Sequence, residues 1–357
     1  MKIAKIFIRI YQINYIMKSF IKLLVGICII YYLFSSCENA NKIKNISKND
    51  TEPRGAKVQV PAFNKDSAFY FVQKQVDFGP RVNNTPAHEK CATWIEQKMK
   101  TYTKDVLIQK AILRAYNGIP LNMKNIIVSF NPNATGRILL CSHWDSRPYA
   151  DWDADSTKHS KPIDGANDGA SGVGVLIEIA RILASNKINI GVDIVLFDAE
   201  DYGEPQNNKN QYKEDNWGLG SQYWSKNPHK QNYQANFGIL LDMVGVQNAY
   251  FTHEGYSSTY APDILRKVWD AASRIGYGSN FADRKTNPIT DDHYYINTLI
   301  HIPTIDIIHY DESSGTGFYK NWHTMNDNIS NVDKQSLKAV GQTILTVLFE
   351  ESGKKTD

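Results

Sequence analysis

Cysteine is scarce in this chain. It has four in 357 residues, and Cys28 and Cys37 fall in the first 37. No CxxC pattern occurs, so a cysteine-ligated zinc site is excluded. Cys91, on a predicted helix, and Cys141, in a predicted strand, are left as either a disulfide or two buried thiols. Phosphate-cradling glycine patterns are also missing. GxxxxGK[ST] is absent, and GASGVG does not fit GxGxxG. The nucleophile elbow GxSxG fails because Val173 stands where its last glycine should be. There is no internal repeat and no interior linker, which favours one domain over two.

Excess charge is lacking too. The chain carries 40 basic against 37 acidic side chains, a net +3. Five of the basic residues (Lys2, Lys5, Arg9, Lys18, Lys22) lie in residues 1–37, which contain no acid. Without them the balance is 35 against 37, or −2, so nucleic-acid binding has no electrostatic support. The apolar run Leu23–Phe34 has 12 residues, short of the about 20 that a membrane span needs. It fits the apolar core of an export signal. It ends in Ser35-Ser36-Cys37, and a cysteine after small residues points to a bacterial lipoprotein signal. Translation then begins at Met17, cleavage precedes Cys37, and a lipid on its sulfur tethers the protein to a membrane. The protein is expected to be exported, in the periplasm or on the outer membrane. A plain signal peptide or a tilted anchor is the alternative.

Residues 38–57 are polar and aperiodic and read as a flexible tether. The folded domain is expected over 58–353. Helical spacing marks Ser67–Val76, the stretch opened by Thr85-Pro86, Ser171–Leu183, Pro262–Ile275 and Lys334–Glu350. Apolar strands are expected at Asp105–Gln109, Asn125–Ser129, Arg137–Ser142, Val192–Phe197, Phe237–Met243 and Thr304–His309. This alternation predicts an α/β three-layer sandwich: a mixed, mostly parallel sheet flanked by helices, with an antiparallel part among the early strands.

Acids and imidazoles cluster just past the predicted strands. His143 and Asp145 follow one, Glu200 and Asp201 another, and Asp242 ends a third; Asp291-Asp292-His293 precede a helix-like stretch. Asp168 lies in the glycine-rich turn GANDGASG, and His323 in NWHTMNDN. In open α/β sheets the crevice beyond the carboxyl ends of the strands binds ligands. Asp168, the pair Glu200-Asp201 and His323 would supply, if they converge, what a catalytic zinc needs: three ligands, an open position and a spare carboxylate as base. The polar insertion Glu204–Asn216 reads equally as a solvated loop or as the rim of a cleft.

The ordered set HWDS (143–146), GANDGASG (165–172), FDAED (197–201), LLDMVG (241–246), TDDH (290–293) and WHTMNDN (322–328) resembles the M28 zinc-peptidase superfamily. Within it, the set is most similar to the type II glutaminyl cyclases (glutaminyl-peptide cyclotransferases). The resemblance spans roughly residues 65–350. The aminopeptidase branch implies two zinc ions on His143, Asp168, Asp201, Asp242 and His323, with Glu200 as base. The cyclase branch implies one zinc per chain on Asp168, Asp201 and His323. It also implies catalytic roles for Glu200, Asp242 and Asp291, with Asp242 paired to Asp291, and a substrate-lining Trp322. Trp322 directly before His323 and the doubled acids of DDH favour the cyclase. A non-catalytic metal-stabilised binding lipoprotein is a third alternative, disfavoured by the free base Glu200.

The resemblance has departures. Animal cyclases have two glutamates where this chain has Glu200-Asp201, a histidine at Asp306, and a disulfide cysteine at Ser142. The 204–216 insertion displaces their pocket tryptophan, and Trp217 is its expected replacement. The implied reaction converts an N-terminal glutamine of peptides or proteins to pyroglutamate with loss of ammonia.

Overall fold

The computed structural model describes residues 59–206 and 213–353. The leader with Cys37, the tether 38–57 and the middle of the polar insertion lie outside the described residues.

Helix α1 (Lys65–Val76) opens on Asn64, whose side chain accepts the N–H groups of Asp66 and Ser67. Helix α2 (Pro86–Lys100) is capped by Thr85 with Pro86 at its first turn, as its sequence requires. The chain then forms the long hairpin β1 (Val106–Arg114) and β2 (Pro120–Phe130). Next come β3 (Arg137–His143), α3 (Ala170–Ser185), β4 (Gly191–Phe197), α4 (Leu219–Lys226) and β5 (Phe237–Asp242). Every residue of β3, β4 and β5 is buried, which is why these strands read as mostly apolar runs. After β5 lie β6 (Phe251–His253), α5 (Gly255–Tyr260), α6 (Pro262–Arg274), β7 (Phe281–Lys285) and the short α7 (Asp292–Tyr295). Strand β8 (Thr304–Ile308) and helix α8 (Lys334–Ser352) complete the chain.

The main sheet has the order β1-β2-β4-β3-β5-β8. The pairs β3–β4, β3–β5 and β5–β8 are parallel, while β1–β2 and β2–β4 are antiparallel. Alternation along the strands separates two cores. Ile138 and Leu140 face a large cluster with α1, α2, α3, α6 and α8. Leu139 and Cys141 face a smaller one with Trp224, Tyr233 and Ile296. The fold is therefore the expected three-layer α/β sandwich. Cys91 and Cys141 are buried in different clusters, so they are free thiols.

Helix α3 is buried nearly all round, as its mostly apolar sequence demands, and its buried Glu178 is paired with Arg181. A Cβ on Gly172 would come 2.4 Å from the Leu241 carbonyl and from Ser142 Oγ, so glycine there seats the helix directly on β3 and β5. From β3 the chain crosses to β4 on one side, then returns past β3 to β5 on the other. That reversal opens the crevice at the ends of β3 and β5.

Candidate metal centre and catalytic site

His143 is the last residue of β3 and Asp242 the last of β5, so both point into this crevice. Asp168 precedes α3 but does not cap it. Gly169 holds the cap position at φ +91° with no side-chain cap bond, which leaves the Asp168 carboxylate free. Glu200 follows Ala199 at φ +55°, Asp242 precedes Met243 at φ +47°, and His323 itself lies at φ +53°. Left-handed backbone at three side-chain-bearing residues, each at or beside a site residue, is strain that the surrounding structure must hold.

The expected ligands converge in two sets that share Asp168. In the first, His323 Nε2 lies 3.2 Å from Asp201 Oδ1 and 3.6 Å from Asp168 Oδ2. In the second, His143 Nε2 lies 3.0 Å from Asp168 Oδ1 and 3.3 Å from Asp242 Oδ1. Burial opposes a charged His143, but Asp145, Asp168 and Asp242 outweigh it and push its pKa well above the ordinary value. Burial likewise pushes Glu200 well above the glutamate range and raises Asp242 to about 7.

The first set fits a zinc ion. Asp168 Oδ2 and Asp201 Oδ2 are buried oxygens with no hydrogen-bond partner, and unsatisfied buried carboxylates call for a cation or a proton. The Nδ1 of His323 faces Asp151 Oδ1 at 3.4 Å, the outer carboxylate that orients a metal-bound imidazole.

Several supports escaped sequence reasoning. Asp145 accepts the backbone N–H groups of Glu200 and Asp201, each at 3.2 Å, and so fixes both acids at once. Asp327 accepts the N–H groups of Asn167 and Asp168 at 2.8 and 3.0 Å. Buried Arg147 grips Asp151 through two bonds and reaches Asp201 Oδ1 at 3.4 Å. Spacing gave a partial signal: Asp145 and Asp327 both lie within motifs singled out for their neighbours.

Asp291 is at the N-terminus of α7, where its side chain accepts the Asp292 N–H. Asp242 hydrogen-bonds His143 and lies close enough to Asp291 for that carboxyl to raise its pKa. A second carboxyl, Asp306 on β8, has an oxygen within 4.8 Å of one on Asp291.

Both tryptophans lie beside His323. Trp322 stacks on His323 with ring centroids 3.7 Å apart and packs on Phe318 at 4.4 Å. Trp217 lies parallel to the His323 ring at 6.2 Å, with the Arg147 guanidinium on it at 4.7 Å. The Gly218 N–H bonds to the Glu200 carbonyl, which ties the Trp217 segment to Glu200. Trp217 and Trp322 both line a cavity of about 570 Å³, with Ile289, Tyr310 and Phe318. Glu204, at one end of the polar insertion, is buried and accepts the Lys213 N–H and the Asn216 amide. The described ends of that insertion are thus pinned beside the site.

Residues 125–348 match peptidase family M28. Among solved structures, the chain is 53% identical to Bacteroides thetaiotaomicron glutaminyl cyclase bound to N-acetylhistamine. That match has a TM-score of 0.80 and covers 82% of this chain and 99% of the other. A structure described as a leucine aminopeptidase precursor from the same species is 52% identical at TM-score 0.80, with 82% and 99% coverage. The glutaminyl-peptide cyclotransferase of Gloydius blomhoffii is 25% identical over 258 residues, covering 63% of this chain and 65% of that protein. The match thus spans less than two thirds of that relative's length.

Proposed function

The chain belongs to peptidase family M28, and on that premise we propose that it is a zinc-dependent glutaminyl-peptide cyclotransferase. What carries the reading is one complete ligand set, Asp168, Asp201 and His323, beside the buried acid Glu200, in a chain 53% identical to a solved glutaminyl cyclase. Its substrates are peptides and proteins that begin with glutamine. The products are the pyroglutamyl chain and ammonia.

Asp168, Asp201 and His323 would hold one zinc ion per chain. When bound, the ion supplies a Lewis acid for the substrate γ-carbonyl. The residues of the chain do the rest. Trp322 and Trp217 hold the aliphatic part of the glutamine against the floor of the cavity. Glu200 accepts the proton of the α-amine as the new C–N bond forms. It then gives that proton to the departing amide nitrogen as the old C–N bond breaks. One group serves both transfers because nucleophile and leaving group meet at one carbon. Asp291 accepts an N–H of the leaving nitrogen. The aromatic walls keep out the water that would divert the site to hydrolysis.

A two-zinc aminopeptidase is the second reading. It is favoured by the His143–Asp168–Asp242 set and by the similarity to the structure described as an aminopeptidase precursor. Offering the purified protein a Gln-initiated dipeptide and a Leu-initiated chromogenic amide separates the two. Ammonia from the first alone is the expected result; cleavage of the second alone overturns the cyclase.

Export and a lipid on Cys37 are part of the proposal. Their support is the basic leader, the 12-residue apolar run and the Ser35-Ser36-Cys37 end. Metabolic labelling with a radioactive fatty acid tests this: Cys37→Ala should lose the label, and retained label refutes the anchor.

A further inference from the structure

Asp306 sits in the middle of β8, in register with Leu240 of β5, and is fully buried. Its neighbours Ile305 and Ile307 pack into the larger core, so Asp306 faces the other side of the sheet. A lone carboxylate in such a strand is costly unless something neutralises it. Its backbone N–H bonds to Ser257 Oγ, but neither side-chain oxygen accepts a hydrogen bond. Among the described residues, no lysine or arginine pairs with it.

Asp291 stands opposite. Oxygens of the two carboxyls lie within 4.8 Å of each other, and Asp291 Oδ2 is also buried without a donor. Around Asp306 are Glu254 ahead of α5, Asp242 on β5, Cys141 on β3 and His293 on α7, whose Nδ1 is 3.9 Å away. Around Asp291 are Asp292, Glu200, Asp168 and His143. His143 is engaged between Asp168 and Asp242. His293 Nε2 lies 2.9 Å from Glu254, while its Nδ1 is buried without a hydrogen-bond partner and stops 3.9 Å from Asp306, too far for a hydrogen bond. Two facing carboxyls with orphaned oxygens, and with no donor within hydrogen-bonding distance of those oxygens, are both satisfied by one proton between them.

We propose that Asp306 is a positioning residue: it shares one proton with Asp291 and so fixes the orientation and charge of the carboxyl that meets the leaving nitrogen. The role in turnover rests on the cyclase reading; the shared proton does not. Burial raises both groups above the ordinary carboxylate range, in the same direction as the geometry. The shared proton stays on the pair while Glu200 carries the transferred one. As pH rises the pair loses it, two adjacent anions repel, and Asp291 is displaced, so kcat/KM falls on the alkaline side. In Asp306→Asn the amide holds Asp291 with no proton to lose.

The test uses the zinc-loaded protein and two readouts. Infrared difference spectra of wild type against Asp306→Asn should show one protonated-carboxyl C=O band, shifted down in D2O. Asp291→Asn should remove the same band, and the double variant should remove no more. It also reaches the proton from the other side if Asp306→Asn does not fold. With a Gln-initiated dipeptide, Asp306→Ala should cost on the order of 100-fold in kcat through misplacement. Asp306→Asn should recover most of that and lack the alkaline fall. A band that persists in either single variant overturns the proposal. So does an unchanged alkaline limb in Asp306→Asn, or a metal ion located on Asp291, His293 and Asp306 by anomalous scattering. If the band behaves as expected but the wild type releases no ammonia from Gln-initiated peptides, the cyclase reading fails, not the shared proton.

Discussion

Asp327 Oδ2 accepts the backbone N–H of Asp168 at 3.0 Å, across 159 positions of sequence. Its other oxygen takes the N–H of Asn167, so one carboxylate sets the direction of the turn that aims Asp168. Asp327→Ala should weaken zinc binding about 10- to 100-fold, the usual cost of losing an outer support. Competition with a fluorescent chelator measures this. An unchanged affinity would mean that α3 alone positions Asp168.

Glu200, the proposed base, is a buried acid outside the Asp168–Asp201–His323 set. Glu200→Gln keeps the shape and removes the base, so ammonia release should fall by about 100- to 10,000-fold. Zinc content should stay at the wild-type level, because Glu200 is not among the three ligands. Wild-type turnover in this variant would place the base elsewhere.

The metal count separates the two ligand sets. Elemental analysis after dialysis should give one zinc per chain. Chelation should abolish activity, and one equivalent should restore it. Two tightly held equivalents would mean that His143, Asp168 and Asp242 also bind an ion.

Glu254 holds the start of α5 and bonds His293. Burial raises its pKa, but His293 and the N–H groups of Tyr256 and Ser257 outweigh this and lower it from 4.5 to about 2. Because the folded value is depressed, its stabilisation is complete above the unfolded value. It is lost as pH falls through about 2. That displacement is worth roughly 3 kcal/mol. Urea unfolding from pH 7 down to 3 should show wild-type stability falling more steeply than that of Glu254→Gln. Parallel curves would contradict the assignment.

The parts of the fold written as mostly apolar runs were legible: β3, β4, β5 and the helix α3. The hairpin was only half legible. Both β1 and β2 extend well beyond their apolar stretches, through Lys110 and Asn122, to a turn at Asn117-Gly118 with Gly118 at φ +83°. That Asn-Gly pair was a hairpin signal that hydropathy alone overlooks. The small sheet of β6 and β7 was illegible, because a three-residue strand carries no period. The residues that converge on the candidate metal centre were legible because they stand in motifs that follow strands or open a helix. Asp306 and Asp327 were not legible as supports. A single acid in an apolar strand or a polar turn says nothing of a partner far away in sequence, and the Asp306–Asp291 contact depends on which face of β8 the side chain leaves.

The left-handed residues Ala199, Met243 and His323 bear on the order in which this protein matures. An unfolded chain relaxes out of that backbone region, so the three conformations appear only once the sheet and its crossing helices hold them. The ligand spacing is then a late product of folding, and a half-folded chain offers loose carboxylates with little preference among metals. Selective zinc uptake should therefore coincide with the last refolding phase, read by adding the metal at intervals after dilution from denaturant. Zinc captured with full affinity in the first phase would show that the centre assembles before the fold does.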